Sequence, residues 1–153
     1  MWWTEPLVGS VITTPADLDP SRRLLMIETA LTEWIAEHHP DVVAVERVFA
    51  EHNLHSVIGT AQAAGLAMVA GARAGLPVFT HTPTEVKAAI TGSGRADKAQ
   101  VGHMVARLLR LDAPPKPADA ADAVALAICH LWRGAASDRM AEAIARQGRK
   151  ASA

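Results

Sequence analysis

The chain has 153 residues, 50% hydrophobic and 20% charged, with Lys+Arg 15 against Asp+Glu 16 and a net charge of -1. That length and balance describe one globular domain around a single core, and exclude a disordered, collagen-like or uniformly cationic nucleic-acid-coating chain. The single cysteine, Cys129, excludes an intramolecular disulfide and a cysteine-based zinc cluster, and points to a reducing, cytoplasmic setting.

Residues 1–6 (MWWTEP) carry neither a basic nor an apolar leader segment, so no signal peptide is read. Residues 7–14 (LVGSVITT) are rich in β-branched side chains and stop at Pro15, which predicts a strand. Leu18-Asp19-Pro20 predicts a helix start with proline in the first turn. Leu24, Ile27, Leu31, Trp34 and Ile35 then recur at helical spacing as far as His38, and Pro40 closes the segment. Residues 42–45 (VVAV) are a short continuous apolar run, the mark of a strand buried on both faces, and they end in Glu46.

Residues 53–72 contain no Asp, Glu, Lys or Arg. That length matches a membrane span. However, Asn53, His55, Ser56, Thr60 and Gln62 fill the first half, and three glycines dilute the rest. The segment predicts a buried helix instead. Gly59, Ala63, Ala67 and Gly71 recur every four residues, a small-residue face that another backbone can approach. Residues 77–81 (PVFTH) predict another strand. Thr82 with Glu85 three residues on has the form of a capping box, and Gly92-Ser93-Gly94 breaks the helix it opens. Further helices are predicted over 96–111 and 118–132, separated by Pro114, Pro115 and Pro117. Residues 136–153 form a polar, helix-compatible tail. The order strand, helix, strand, helix, strand, helices indicates α/β architecture with parallel pairing.

The overall charge conceals a gradient. Residues 1–60 hold nine acids and three bases, a balance of -6. Residues 87–116 hold six bases and two acids, a balance of +4, and residues 133–153 stand at +3. A neutral chain can thus present a cationic face to phosphate.

Carboxylates fall in two informative places. Glu46 ends a strand, where α/β sheets place ligands. Asp119 and Asp122 lie three apart at the start of a helix and share a face. Convergence of the three would make an oxygen-rich site suited to Mg²⁺, able to activate water at a phosphodiester. The plainer reading is that first-turn acids serve the helix dipole and that Glu46 opens a solvated loop. The Gly92-Ser93-Gly94-Arg95 turn, between Lys87 and Lys98, is either a phosphate contact or only a helix break. Phe49 is either core or a stacking platform for a base. His52 and His55 have ligand spacing but no third partner, and His38-His39 suits a helix end. Cys129 reads as a small core residue.

Residues 42–49 (VVAVERVF), 59–63 (GTAQA), 81–83 (HTP) with 85–87 (EVK), 92–100 (GSGRADKAQ) and 118–127 (ADAADAVALA) occur in order. Together they resemble the RuvC family of Holliday-junction resolvases, from about residue 7 to 132. The resemblance implies an RNase H-like fold, a mixed sheet flanked by helices. It implies a homodimer that binds four-way junction DNA in recombination and repair and cuts two strands symmetrically. The implied cofactor is Mg²⁺, two ions per site, with Mn²⁺ as a substitute. A branch-migration motor complex is an implied partner, and no membrane is. Glu46, Asp119 and Asp122 match catalytic, metal-binding positions. Phe49, Lys87 and Lys98 match DNA contacts, Arg95 in the glycine turn is a further candidate DNA contact, and the Gly59/Ala63/Ala67 helix resembles the dimer helix.

One departure stands out. The family's first strand, which carries an aspartate followed by Pro-Gly, has no counterpart here, and residues 7–14 resemble its third strand. The expectation is a domain over 1–135 lacking the first strand and most or all of the second, with a tail over 136–153. It would cut junctions weakly or not at all, as a start codon placed too late would produce. The alternatives are a non-catalytic junction-binding or dimerisation remnant, and an RNase H-like nuclease acting on another nucleic acid.

Overall fold

In the computed structural model, which describes residues 11–47 and 54–151 and the side chains of 11–47 and 57–134, the first regular element is helix α1 (Pro20–His38). Asp19 caps it, its carboxylate accepting from the Ser21 N–H at 2.9 Å, and Pro20 supplies the fixed φ of a first helical position. His39 turns left-handed at φ 46° and donates its N–H to Ile35 O at 3.1 Å. Pro40 cannot extend the helix beyond that point.

Strands β1 (Val43–Glu46) and β2 (Val78–His81) pair in parallel, with Val43 opposite Val78 and Glu46 opposite His81. The crossover between them is helix α2 (Leu54–Arg73). Gly71 lets it settle on the sheet, because a Cβ there would stand 2.8 Å from Val78 Cγ2 and 3.0 Å from Val43 Cγ2. Helix α3 (Pro83–Thr91) opens with the expected capping box: Glu85 N–H donates to Thr82 Oγ1 at 3.1 Å, and Thr82 N–H to Glu85 Oε2 at 2.8 Å. It stops at Gly92, left-handed at φ 79°. A second capping box, Asp97 with Gln100, starts helix α4 (Lys98–Leu109). Helix α5 (Ala118–Ala151) completes the chain, running on past the expected end at Trp132 and through the segment expected as a separate tail.

The core sits among α3, α4 and α5. Val86, Ile90, Val101, Val105, Val124, Ile128 and Cys129 form it, with Val105 and Cys129 fully buried. Burial pushes the Cys129 thiol up, consistent with an inert core cysteine.

Three expectations are corrected. Residues 11–14 carry no strand pairing; there the chain is tied to α1 by Arg23 Nε donating to Thr14 Oγ1 at 2.9 Å. Residues 7–10 of that strand lie outside the described residues, and the two described strands pair in parallel. In β1 only Val45 is buried, so the strand is not covered on both faces. α2 is not a buried helix: Ala70 and Gly71 are buried, while Ile58, Met68 and Val69 are exposed. For β1 and α2 the cause is the width of the described sheet, since two strands offer little area for a helix to cover.

Candidate active site

Glu46 ends β1, and the chain leaves the sheet beside His81 of β2. Arg47 extends the ladder by one bond, its N–H donating to His81 O at 2.7 Å. Its guanidinium crosses to β2 and donates from Nη2 to Thr80 Oγ1 at 3.2 Å. The strand end is thereby pinned, and Glu46 opens into a groove of about 820 Å³ between α2, α3, α4 and α5.

The opposite wall is the first turns of α5. Ala120, Ala121, Val124 and Ala125 turn into the core. That leaves Asp119, Asp122, Ala123 and Leu126, spaced three, four and seven apart, as one face along the groove. α3 supplies Lys87, half-buried, and α4 supplies Lys98 from its first position. Lys98 Nζ donates to Asp122 Oδ2 at 3.2 Å.

The charges are coupled. Burial pushes the Glu46 carboxyl above the ordinary glutamate range, and the Asp122 charge adds to that; Lys98 and Lys87 offset part of it. Lys98 is held above its usual value by its hydrogen bond to Asp122 and by that residue's charge, with smaller contributions from Asp119 and Glu46. The three acids and the cations Lys87 and Lys98 are therefore close enough to sense one another. Among the described residues no three acid, histidine or cysteine side chains close into a metal-holding set. The acids share a wall-to-wall groove rather than a closed cage, and Lys98 neutralises one of them.

The expected residues are partly assembled. Glu46, Asp119, Asp122, Lys87 and Lys98 line the same groove. Arg95 does not; it lines a separate groove with Ser93, Gln100 and His103. Phe49 and His52 lie outside the described residues, and so does the side chain of His55. Ala63 of the small-residue face lines the same groove as Glu46, Gly71 meets the sheet, and Gly59 opens to free space. The face therefore winds from the sheet into the groove, as a four-residue repeat must on a helix of 3.6 residues per turn.

Two groups escaped the sequence reading. Arg47 lines the groove next to Glu46, and its adjacency to Glu46 was the available signal. His81, buried at 7% exposure, stands with Nε2 3.1 Å from His130 Nδ1. That pair joins β2 to α5, and no sequence spacing announces it. Burial, then the His130 charge, push the His81 imidazole below its usual range.

Comparison with known proteins follows the same lines. The sequence pattern of the family described as crossover junction endodeoxyribonuclease RuvC matches residues 4–130. A crossover junction endodeoxyribonuclease RuvC from Cutibacterium acnes is 69% identical over 139 residues, covering 91% of this chain and 71% of that protein. One from Thermobifida fusca is 64% identical over 137 residues, covering 90% and 75%. The solved Thermus thermophilus RuvC structure superposes with a TM-score of 0.76 at 31% identity, over 84% of this chain and 77% of that one. A structure of T. thermophilus RuvC in complex with Holliday junction substrate gives 0.75 at 32%, over 82% and 76%.

Proposed function

Because the chain belongs to the RuvC family of crossover junction endodeoxyribonucleases and shares its RNase H-like fold, we propose that its groove binds four-way junction DNA and hydrolyses a phosphodiester in each of two opposed strands. The observation that carries this reading is the convergence of Glu46, Asp119 and Asp122 with Lys87 and Lys98 in one groove.

The carboxylate oxygens suit Mg²⁺, a hard cation, and although burial is the main cause of the raised Glu46 carboxyl, the Asp122 charge that adds to it is one a cation would relieve. Glu46, Asp119 and Asp122 would hold it, and when bound it would supply a nucleophilic water and neutralise charge at the phosphodiester. Lys87 and Lys98 draw the DNA backbone into the groove. Arg47, fixed on Thr80, presents a further guanidinium beside the phosphate to be cut.

A second copy of the chain gives the function its symmetry, since one two-fold axis puts equal sites on equivalent strands. Exposed Ile58 and Val69 on α2 are eleven residues apart and share a side of the helix with Gly65, where an added Cβ would meet nothing. That side supports packing against a second α2. The working unit is read as a nuclease domain over 1–135 whose last helix, α5, runs on into a polar tail over 136–153. It is read as cytoplasmic, with a branch-migration motor complex as a further partner. No described helix is long and apolar enough to cross a membrane.

A second reading has its own support. Lys98 sits on Asp122, and the described acids do not close into a metal set. A junction-binding protein that does not cut would look the same. Labelled four-way junction incubated with Mg²⁺ separates the two. Paired symmetric nicks that Glu46→Gln abolishes support the nuclease. Tight binding without nicks supports the second reading.

A further inference from the structure

Three grooves share walls around the first turns of α4. Lys98 and Asp122 bound the catalytic groove and also line a second groove of about 420 Å³, between α4 and the loop leading to α5. His103, Pro114 and Lys116 form the rest of its polar and proline walls. His103 also borders the third groove, about 530 Å³, which holds Arg95.

The second groove is a product of local folding. Arg110 ends α4 in a left-handed turn at φ 55°, and Leu111 N–H returns to Ala106 O at 2.8 Å. The chain then doubles back along the helix. Buried Gly102 admits it, for a Cβ at that position would stand 3.4 Å from Pro114 Cβ. The prolines restrict the loop, and Lys116 is delivered to a groove that begins at Lys98.

The charges there are available to a ligand. Among the described residues Arg95 and Lys116 are exposed and pair with no carboxylate, whereas Lys98 is already engaged by Asp122. The N-terminus of α4 supplies little attraction, because the capping box sets the Asp97 carboxylate on the Gln100 N–H and occupies the Asp97 N–H with Gln100. Positive charge has to come from side chains. His103 Nδ1 lies 2.7 Å from Ala99 O. A carbonyl only accepts, so Nδ1 holds the proton and donates, and Nε2 is left for an outside partner.

We infer that Lys116 holds the phosphates of a DNA strand as it leaves the catalytic groove, and that the strand continues past His103 to Arg95. The ligand is the phosphodiester backbone, held without sequence reading. This inference rests on the function proposed above and adds the path of the DNA outside the cleavage site.

The test compares Lys116→Gln with Arg22→Gln, which removes the same charge from an exposed position on α1. Junction affinity is measured over a range of salt with the full chain. Lys116→Gln should weaken binding roughly eightfold at 0.1 M salt and reduce the slope of log K against log salt by about 0.9, while Arg22→Gln changes neither. The double variant Arg95→Gln/Lys116→Gln should weaken it further. If both single variants bind like the unmodified chain while Lys87→Gln binds more weakly, the second groove is not on the DNA path and the proposed function stands. If the unmodified chain binds no DNA, this inference and the proposed function both fail.

Discussion

Lys98 Nζ stands 3.2 Å from Asp122 Oδ2, closing the gap between the first residue of α4 and the second acid of α5. The pair is exposed, at 74% and 35% for the two side chains, so it contributes little to stability. Its consequence is local: an exposed cation sits where the acidic groove meets the groove of Lys116. A phosphate competes for Lys98, and a divalent cation competes for Asp122.

Lys98→Gln should therefore separate folding from binding. Its thermal midpoint should stay within the shift expected for about 0.5 kcal/mol. Its junction affinity should fall roughly eightfold at 0.1 M salt, with a shallower salt dependence. Salt-titrated fluorescence anisotropy reads both affinity and slope. An unchanged slope would mean that Lys98 serves only Asp122.

Thr82→Ala removes one half of the capping box that starts α3 and leaves the Glu85 N–H without its acceptor. The expected cost is about 1 kcal/mol, or a few degrees in the melting temperature. Lys87, two residues beyond Glu85, should lose its fixed position, and DNA affinity should fall with stability. Calorimetry and binding on the same variant check the coupling.

Much of this frame was legible because it is local. Asp19-Pro20, Thr82 with Glu85, and Gly92 are short-range instructions, and the structure uses each of them. Glu46 and the Asp119/Asp122 face were legible because strand ends and three-residue helix spacing fix where side chains project. Burial was less so. The apolar composition of α2 suggested a core helix, yet burial depends on how much sheet lies beneath it, which no local pattern states. The His81–His130 contact and the delivery of Lys116 to Lys98 join distant segments, and only the packed chain brings them together.

The two glycines Gly71 and Gly65 should respond in opposite directions. Gly71→Ala drives a methyl to within 2.8 Å of Val78 Cγ2 and should destabilise the fold by about 1–3 kcal/mol. Gly65→Ala meets nothing, and should stabilise the isolated chain by up to about 1 kcal/mol through helix propensity. If a second α2 packs on that side, the same change weakens self-association. Chemical denaturation and sedimentation on both variants decide the matter; equal self-association of Gly65→Ala and the unmodified chain removes α2's outer side from the interface.

His81 gives the fold a pH dependence. Its imidazole titrates below its ordinary value of 6.5, because burial and the His130 charge disfavour the charged form; Arg133 acts in the same direction and Glu85 opposes. The unfolded chain thus binds more protons than the folded one across that window. Stability should be full above pH 6.5 and should fall as pH is lowered toward the depressed folded value. Urea midpoints between pH 7.5 and 5.5 measure it. His81→Asn should flatten the dependence, and an equally steep curve in that variant would place its origin elsewhere.

The central claim is that the groove of Glu46, Asp119, Asp122, Lys87 and Lys98 recognises four-way junction DNA. Competition binding tests it most directly, with a labelled junction displaced by unlabelled junction or by linear duplex of the same sequence. The account predicts that duplex competes at least about tenfold less well at physiological salt, where non-specific contacts are weak. It also predicts that Lys87→Gln combined with Lys98→Gln weakens junction binding. Equal competition by duplex, or a double variant that binds the junction like the unmodified chain, would contradict it.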